Sequence, residues 1–318
     1  MTYQLSPSNA LEVAERRWQE IMEGRPDLEP AIALQRRLVT RSLALEVVID
    51  CRLPATVDFD CIEVTTKLQR KTPVFAGKAI AVDAGPVIPF VLGFCEDLAS
   101  GETGGAAERL GRTLDRAEID VGSLLSASLG RHQEAIRSKA HHVGVAPDLL
   151  WLVAELASGP VAHRLQHQLL TELPGQEGEL RSVVRGWTEG FCAACGSWPA
   201  FGESIPDRPS RSLRCSYCGS AWTPTPQRCI YCEETGESLV IAAVDPEQPS
   251  QRVELCRTCG GYLKCIDVEH PTPFQLLPLE DLSTCGLDLG AAEQGYVRPP
   301  MHTFVATDDS LPCPPPIA

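Results

Sequence analysis

The sequence predicts an α+β multidomain protein, with an all-α N-terminal helical domain followed by two small rubredoxin-like or zinc-ribbon β modules. Three observations carry that expectation. Apolar residues recur at helical spacing through the first 187 residues, four Cys-x2-Cys pairs crowd the stretch from Cys192 to Cys259, and a Gly- and Pro-bearing segment without a clear period lies between. A chain of 318 residues is long enough for more than one hydrophobic core.

The first helix is expected to start at Asn9, with Glu12 three residues on in a capping-box pattern, and to carry Leu11, Ala14, Trp18 and Ile21 on one face until Gly24 and Pro26 stop it. Asp27 with Pro30 opens a longer helix whose apolar face is Ile32, Leu34, Leu38, Leu43, Leu45 and Val48. Similar segments near 60–70, 84–99, 105–117, 119–142 and 148–172 are divided by Gly and Pro, as at Ala146-Pro147 and Gly159-Pro160, which makes six or seven helices. Leu173 to Gly190, with Pro174, Gly175, Gly178 and Gly186, places the boundary, so the helical domain is 1–187. The first metal module is then 188–223, the second 224–305, and 306–318, with four prolines near the end, reads as a flexible tail. Short runs at Ser238–Val244, Arg252–Leu255 and Tyr262–Val268 read as strands.

Charge narrows the function. Lys and Arg number 28 against 42 Asp and Glu, a net charge of −14. Residues 1–187 hold 20 basic and 25 acidic groups and the cysteine-bearing remainder 8 and 17, so the half with the metal motifs is the more acidic. Such a surface repels phosphate backbones and anionic headgroups, which argues against nucleic acid as a partner and against stable membrane insertion. Met1 to Ala10 lacks a basic and an apolar signal region, and the chain is expected to be cytoplasmic.

The pairs are Cys192/Cys195, Cys215/Cys218, Cys229/Cys232 and Cys256/Cys259. A two-residue gap lets one tight turn aim both sulfurs at a single ion, and turn amides can hydrogen-bond the thiolates. Gly196, Gly219 and Gly260 directly follow the second cysteine of a pair, where a positive φ costs glycine nothing; Glu233 stands at the fourth such position. Four knuckles make two four-cysteine sites. Pairing them in order leaves room for strands inside each site, whereas the rival joins Cys215/Cys218 to Cys229/Cys232 and leaves the outer knuckles to meet. The expected cofactors are two metal ions, rubredoxin-type iron or zinc, since both accept four thiolates. Stapling a module too thin to bury its own core is a sufficient reason for them, because a structural site contributes about 10–16 kcal/mol.

Other signals are weaker. His163 and His167 stand at i, i+4 without a neighbouring H-E-x-x-H pattern, and no site is assigned to them. Trp198, Tyr217, Trp222 and Tyr231 beside the knuckles suit a thin core, and Trp198, Tyr217 and Tyr231 also serve as candidate anchors for a partner. Cys265 reads as a buried strand cysteine. No P-loop, G-x-G-x-x-G or G-x-S-x-G occurs, so no catalytic or organic-cofactor residue is assigned and the chain is not expected to be an enzyme.

Taken together, Arg25-Pro-Asp-Leu-Glu-Pro-Ala-Ile-Ala-Leu-Gln-Arg-Arg37, Phe191-Cys-Ala-Ala-Cys-Gly-Ser-Trp-Pro199 and Arg214-Cys-Ser-Tyr-Cys-Gly-Ser-Ala-Trp222 resemble the formate dehydrogenase accessory protein FdhE family. The resemblance continues through Arg228-Cys-Ile-Tyr-Cys232, Cys256-Arg-Thr-Cys-Gly-Gly-Tyr-Leu-Lys264, Leu279-Glu-Asp-Leu-Ser-Thr-Cys-Gly-Leu-Asp-Leu289 and Glu293-Gln-Gly-Tyr296. It departs at Ala193, where the family often has proline, and at Glu233, where glycine is usual. The resemblance implies a cytoplasmic assembly factor that binds the catalytic subunit of respiratory formate dehydrogenase, with iron in its cysteine motifs. The eight paired cysteines would be the ligands. A nucleic-acid-binding zinc ribbon and a thiol or metal redox protein are the alternatives; a clustered basic face would mark the first, and turnover the second.

Overall fold

A computed structural model of the chain describes residues 5–101, 104–173, 178–206, 210–243 and 250–299. In chain order its first elements are α1 (Pro7–Gly24), α2 (Glu29–Cys51), β1 (Ala55–Thr56), α3 (Cys61–Gln69), β2 (Ala81–Val82), α4 (Ile88–Ala99), α5 (Gly104–Asp115), α6 (Val121–Leu129), α7 (Gln133–Val143), α8 (Pro147–His167) and α9 (Gly178–Arg185). Then follow β3 (Pro199–Ser204), β4 (Ser212–Cys215), β5 (Ala221–Trp222), β6 (Leu239–Ala242), β7 (Gln251–Cys256), β8 (Tyr262–Asp267), α10 (Leu277–Ser283) and α11 (Cys285–Glu293). The helical N-terminal region and the sheet-bearing C-terminal region follow the expected fold class. The expected tail, 306–318, lies outside the described residues, as does Val244 at the end of one expected strand.

The chain divides into two compact units. Of the described residues, one holds Ser6–Asp60 and Val74–Gln168; the other holds Leu5, Cys61–Pro73 and those from Leu169 to 299. In the helical unit, α1 begins one turn earlier than the Asn9 reading. Pro7 occupies the first turn, where its missing N–H costs nothing, and the Asn9 N–H donates to the Ser6 side chain at 3.4 Å. Asp27 does not cap α2 either. It is held by the Arg25 guanidinium at 2.7 and 2.8 Å, and Pro26–Leu28 form a short 3-10 turn before a helix with Pro30 in its first turn. Ala10, Ala14, Trp18 and Ile21 of α1 and Ile32, Val39, Leu43, Leu45 and Ile49 of α2 are buried, and Trp18 donates from Nε1 to Gln35 at 2.8 Å.

Two expected segments come out differently. The stretch 119–142 breaks into α6 and α7 at Gly130, and Arg131 there takes a φ of 59°. Gly159-Pro160 is no break, because both residues lie inside α8. That helix is buried nearly all round from Ala157 through Leu165 and packs against α2, α4, α6 and α7, so tertiary contact outweighs the lost backbone hydrogen bond. Among the described residues nine helices precede Trp187, more than the six or seven the periodicity suggests.

In the second unit α3 packs against α9, a short helix in the segment that lacked a sequence period. Six strands form one sheet in the order β5-β4-β3-β8-β7-β6. Each half repeats one grammar: knuckle, strand, strand, knuckle, strand. The pairings within a half are antiparallel, while β3 and β8 run parallel, with Gly202 opposite Cys265 and Ser204 opposite Asp267. The two expected modules therefore share one backbone ladder. Phe201, Ile266 and Leu277 pack in one cluster, and Val253, Leu255, Tyr262 and Ala291 in another, which seats α10 and α11 on the sheet.

Candidate metal centres

Each knuckle is a tight turn whose backbone hydrogen bonds close on its first cysteine. The Cys192, Cys215, Cys229 and Cys256 N–H groups donate to the carbonyls of Ser197, Ser220, Glu234 and Gly261, at 2.9–3.0 Å. The Tyr217 and Cys218 N–H groups point at the Cys215 sulfur at 3.4 Å. The residue after each second cysteine has a left-handed backbone, with φ of 79° at Gly196, 68° at Gly219, 65° at Glu233 and 67° at Gly260. Glu233 accepts the strain that glycine avoids, and its carboxylate and carbonyl both take hydrogen bonds from Arg228.

The knuckles meet in sequence order. Cys192, Cys195, Cys215 and Cys218 form one cluster and Cys229, Cys232, Cys256 and Cys259 another, with the four sulfurs of each within 4.8 Å of one another. The rival that joins the two middle knuckles is not formed. Sulfur separations are 3.6 Å for Cys192–Cys218, 3.5 Å for Cys195–Cys215, 3.8 Å for Cys229–Cys259 and 3.6 Å for Cys232–Cys256. Four thiolates about 2.3 Å from one ion in a tetrahedron stand about 3.8 Å apart, while a disulfide needs about 2.05 Å. Donor set and spacing thus fit a thiophilic tetrahedral ion at each cluster, iron or zinc alike.

The surroundings of the two clusters differ. All four cysteines of the first are at most 1% exposed, whereas in the second Cys229 and Cys256 are buried and Cys232 and Cys259 are exposed. As free thiols, Cys192 and Cys218 are pushed well above the ordinary range by burial and by the neighbouring sulfurs. Burial likewise raises Cys229, and raises Cys259 to about 11. At Cys256 the cost of burial is outweighed by the Cys259 and Thr258 N–H groups, which hold the thiol below its usual value. A bound cation favours the thiolate outright and offsets these costs.

Behind the first centre Arg214 and Glu203 form an ion pair at 2.9 Å, their side chains 2% and 1% exposed, with the Thr272 N–H also on Glu203. Beside the second, Lys264 is fully buried and contacts Asp281 at 2.7 Å and Asp288 at 2.8 Å; Asp288 also accepts from Tyr262 and Arg298. Sequence reasoning missed both groups. Lys264 and the two aspartates do stand in blocks that carry the family resemblance, but separations of 17 and 24 residues conceal their pairing.

The aromatic residues separate into two kinds. Tyr217 and Trp222 are 5% and 9% exposed, so Tyr217 is core and not the exposed anchor the sequence reading proposed. A knuckle that turns its second residue inward buries its ring. Trp198 and Tyr231 are partly exposed and meet edge to face at 5.0 Å between centroids. Cys265 is buried, its thiol 3.5 Å from Glu254, and His163 is buried in α8 with a contact to Gln166.

Residues 227–305 match the family model described as FdhE, C-terminal domain. An FdhE homolog of Pectobacterium carotovorum is 30% identical over 146 residues, 45% of this chain and 45% of that protein. One from Aquifex aeolicus is 28% identical over 115 residues, 35% of this chain and 40% of that protein. The crystal structure of the FdhE protein from Pseudomonas aeruginosa matches with a TM-score of 0.58 at 24% identity, over 93% of this chain and 95% of that one. Residues 227–305 are therefore similar to the FdhE C-terminal domain, and the chain shares the fold of the solved FdhE protein. The sequence matches span less than half the length of these curated FdhE relatives, and the match to the solved FdhE structure extends the likeness of fold to nearly the whole chain. Among the described residues no helix is long and apolar enough to cross a membrane.

Proposed function

We propose that the chain is a cytoplasmic accessory protein for the maturation of respiratory formate dehydrogenase, that it binds the catalytic subunit of that enzyme, and that each four-cysteine cluster holds one metal ion. The observation that supports this best is the pair of preformed four-sulfur clusters in an FdhE-type fold. The eight cysteines would hold the ions, and thiolate coordination would supply stability and a rigid frame for the turns. The chain's own contribution is positional. Knuckle N–H groups stabilise the thiolates, the shared ladder fixes the distance between the two clusters, the Glu203–Arg214 pair braces the strand that carries Cys215, and an Arg211–Glu254 pair at 2.8 Å braces the one that carries Cys256. Binding and release of a folding client favour a modest interface with few anchors. The partly exposed Trp198–Tyr231 pair is suited to that role, because rings already packed edge to face lose little freedom on docking.

Anaerobic affinity capture from native cells, with the bound protein and the metal identified together, tests the reading. Recovery of the formate dehydrogenase catalytic subunit with two ions per chain is the expected result. Capture of nucleic acid, or a folded chain without metal, would overturn it.

A further inference from the structure

The two clusters share ligand type, spacing and turn geometry, so a difference in behaviour has to come from access. At the first, all four sulfurs are covered: the Phe274 ring lies where a Cβ on Gly219 would come within 2.5 Å of it, and Ser197 Oγ sits 3.4 Å from Cys195 Sγ. At the second, no described residue covers the knuckle tips. Cys232 and Glu233 are exposed in one turn, and Arg257, Thr258 and Cys259 in the other. A Cβ on Gly260 would meet nothing within 4 Å, and Val297, which pairs with Gly261 beside that turn, is 60% exposed.

Ligand substitution at a tetrahedral thiolate centre begins with approach of an incoming donor to the ion, so the cover over a site governs its rate. We propose that the second cluster is an exchange port. A thiol-bearing ligand takes its ion by replacing Cys232 and Cys259 first, while the first cluster keeps its own. Each metal–sulfur bond broken at the chain is matched by one formed to the incoming sulfur. The incoming thiol releases a proton and the freed cysteine takes one up, so no electron moves. The port rests on the reading of both clusters as metal centres.

The test uses the full chain loaded with two zinc ions and challenged with the dithiol dimercaptosuccinate. Native mass spectrometry follows the ions, and alkylation with peptide mapping follows the freed thiols. One ion should leave about tenfold faster or more than the other, and the first thiols alkylated should be Cys232 and Cys259. In Cys232→Ser, with one sulfur fewer to displace, the fast phase should quicken further and the slow phase stay unchanged. Release of both ions in one phase, or first alkylation within Cys192–Cys218, would overturn the port while leaving the metal reading intact. A chain that never holds zinc in either cluster would overturn the metal reading itself.

Discussion

The two clusters are built by one local grammar and finished by different neighbours. Both place one knuckle before a strand and the other between the next two strands, and both close each turn with the same hydrogen bonds. Among the described residues only the first has all four cysteines buried, and Phe274, more than fifty residues on, closes over Gly219. The second has the Lys264 network beside it, and among the described residues its tips stay exposed. The geometry of a four-sulfur cluster and its cover are therefore separable properties: a tight turn suffices for one, and the other needs long-range packing.

The largest test of that contrast is loss of a ligand. Cys215→Ser should cost the sheet unit about 5 kcal/mol or more, because a hydroxyl is a poor ligand for a soft ion and leaves three thiolates buried. Cys232→Ser should cost less than half as much, since water can reach the vacated position. Denaturant titration with metal analysis measures both, and equal losses would mean that cover does not matter. Next comes Glu203→Ala, which strands the Arg214 charge behind the first centre and should cost about 3–5 kcal/mol. In the second half the partners of Lys264 are themselves 29% and 41% exposed, so Asp288→Ala should cost clearly less in the same titration.

A smaller effect separates core from surface aromatics. Tyr217→Ala should destabilise by about 3 kcal/mol through the cavity it leaves. Trp198→Ala should cost less stability and weaken capture of the catalytic subunit; unchanged capture would move the partner's site off this pair of rings. The smallest is Glu233→Gly, expected to stabilise by about 0.5–1 kcal/mol, because it relieves a left-handed backbone at the expense of an exposed contact to Arg228. A loss of stability there would show that the Arg228 contact outweighs the strain.

The sequence alone was sufficient for the four two-cysteine knuckles, the glycines that follow three of them and the helical character of the first half, because each is a short-range property: two residues between cysteines, one backbone angle, one apolar face per turn. It was also sufficient for β6, β7 and β8, whose apolar runs stand beside cysteines, but not for β3, β4 and β5, where Gly202, Glu203 and Arg214 interrupt the pattern. Those interruptions make sense only in three dimensions. Gly202 leaves room for the Cys265 sulfur, which would lie 3.2 Å from a Cβ, and Glu203 and Arg214 satisfy each other's charge. The same holds for the join of 61–73 to the sheet-bearing unit, the parallel pairing of β3 with β8 and the unequal cover of the two clusters. Each depends on contacts between residues tens of positions apart, and periodicity and spacing act over one or two turns of chain.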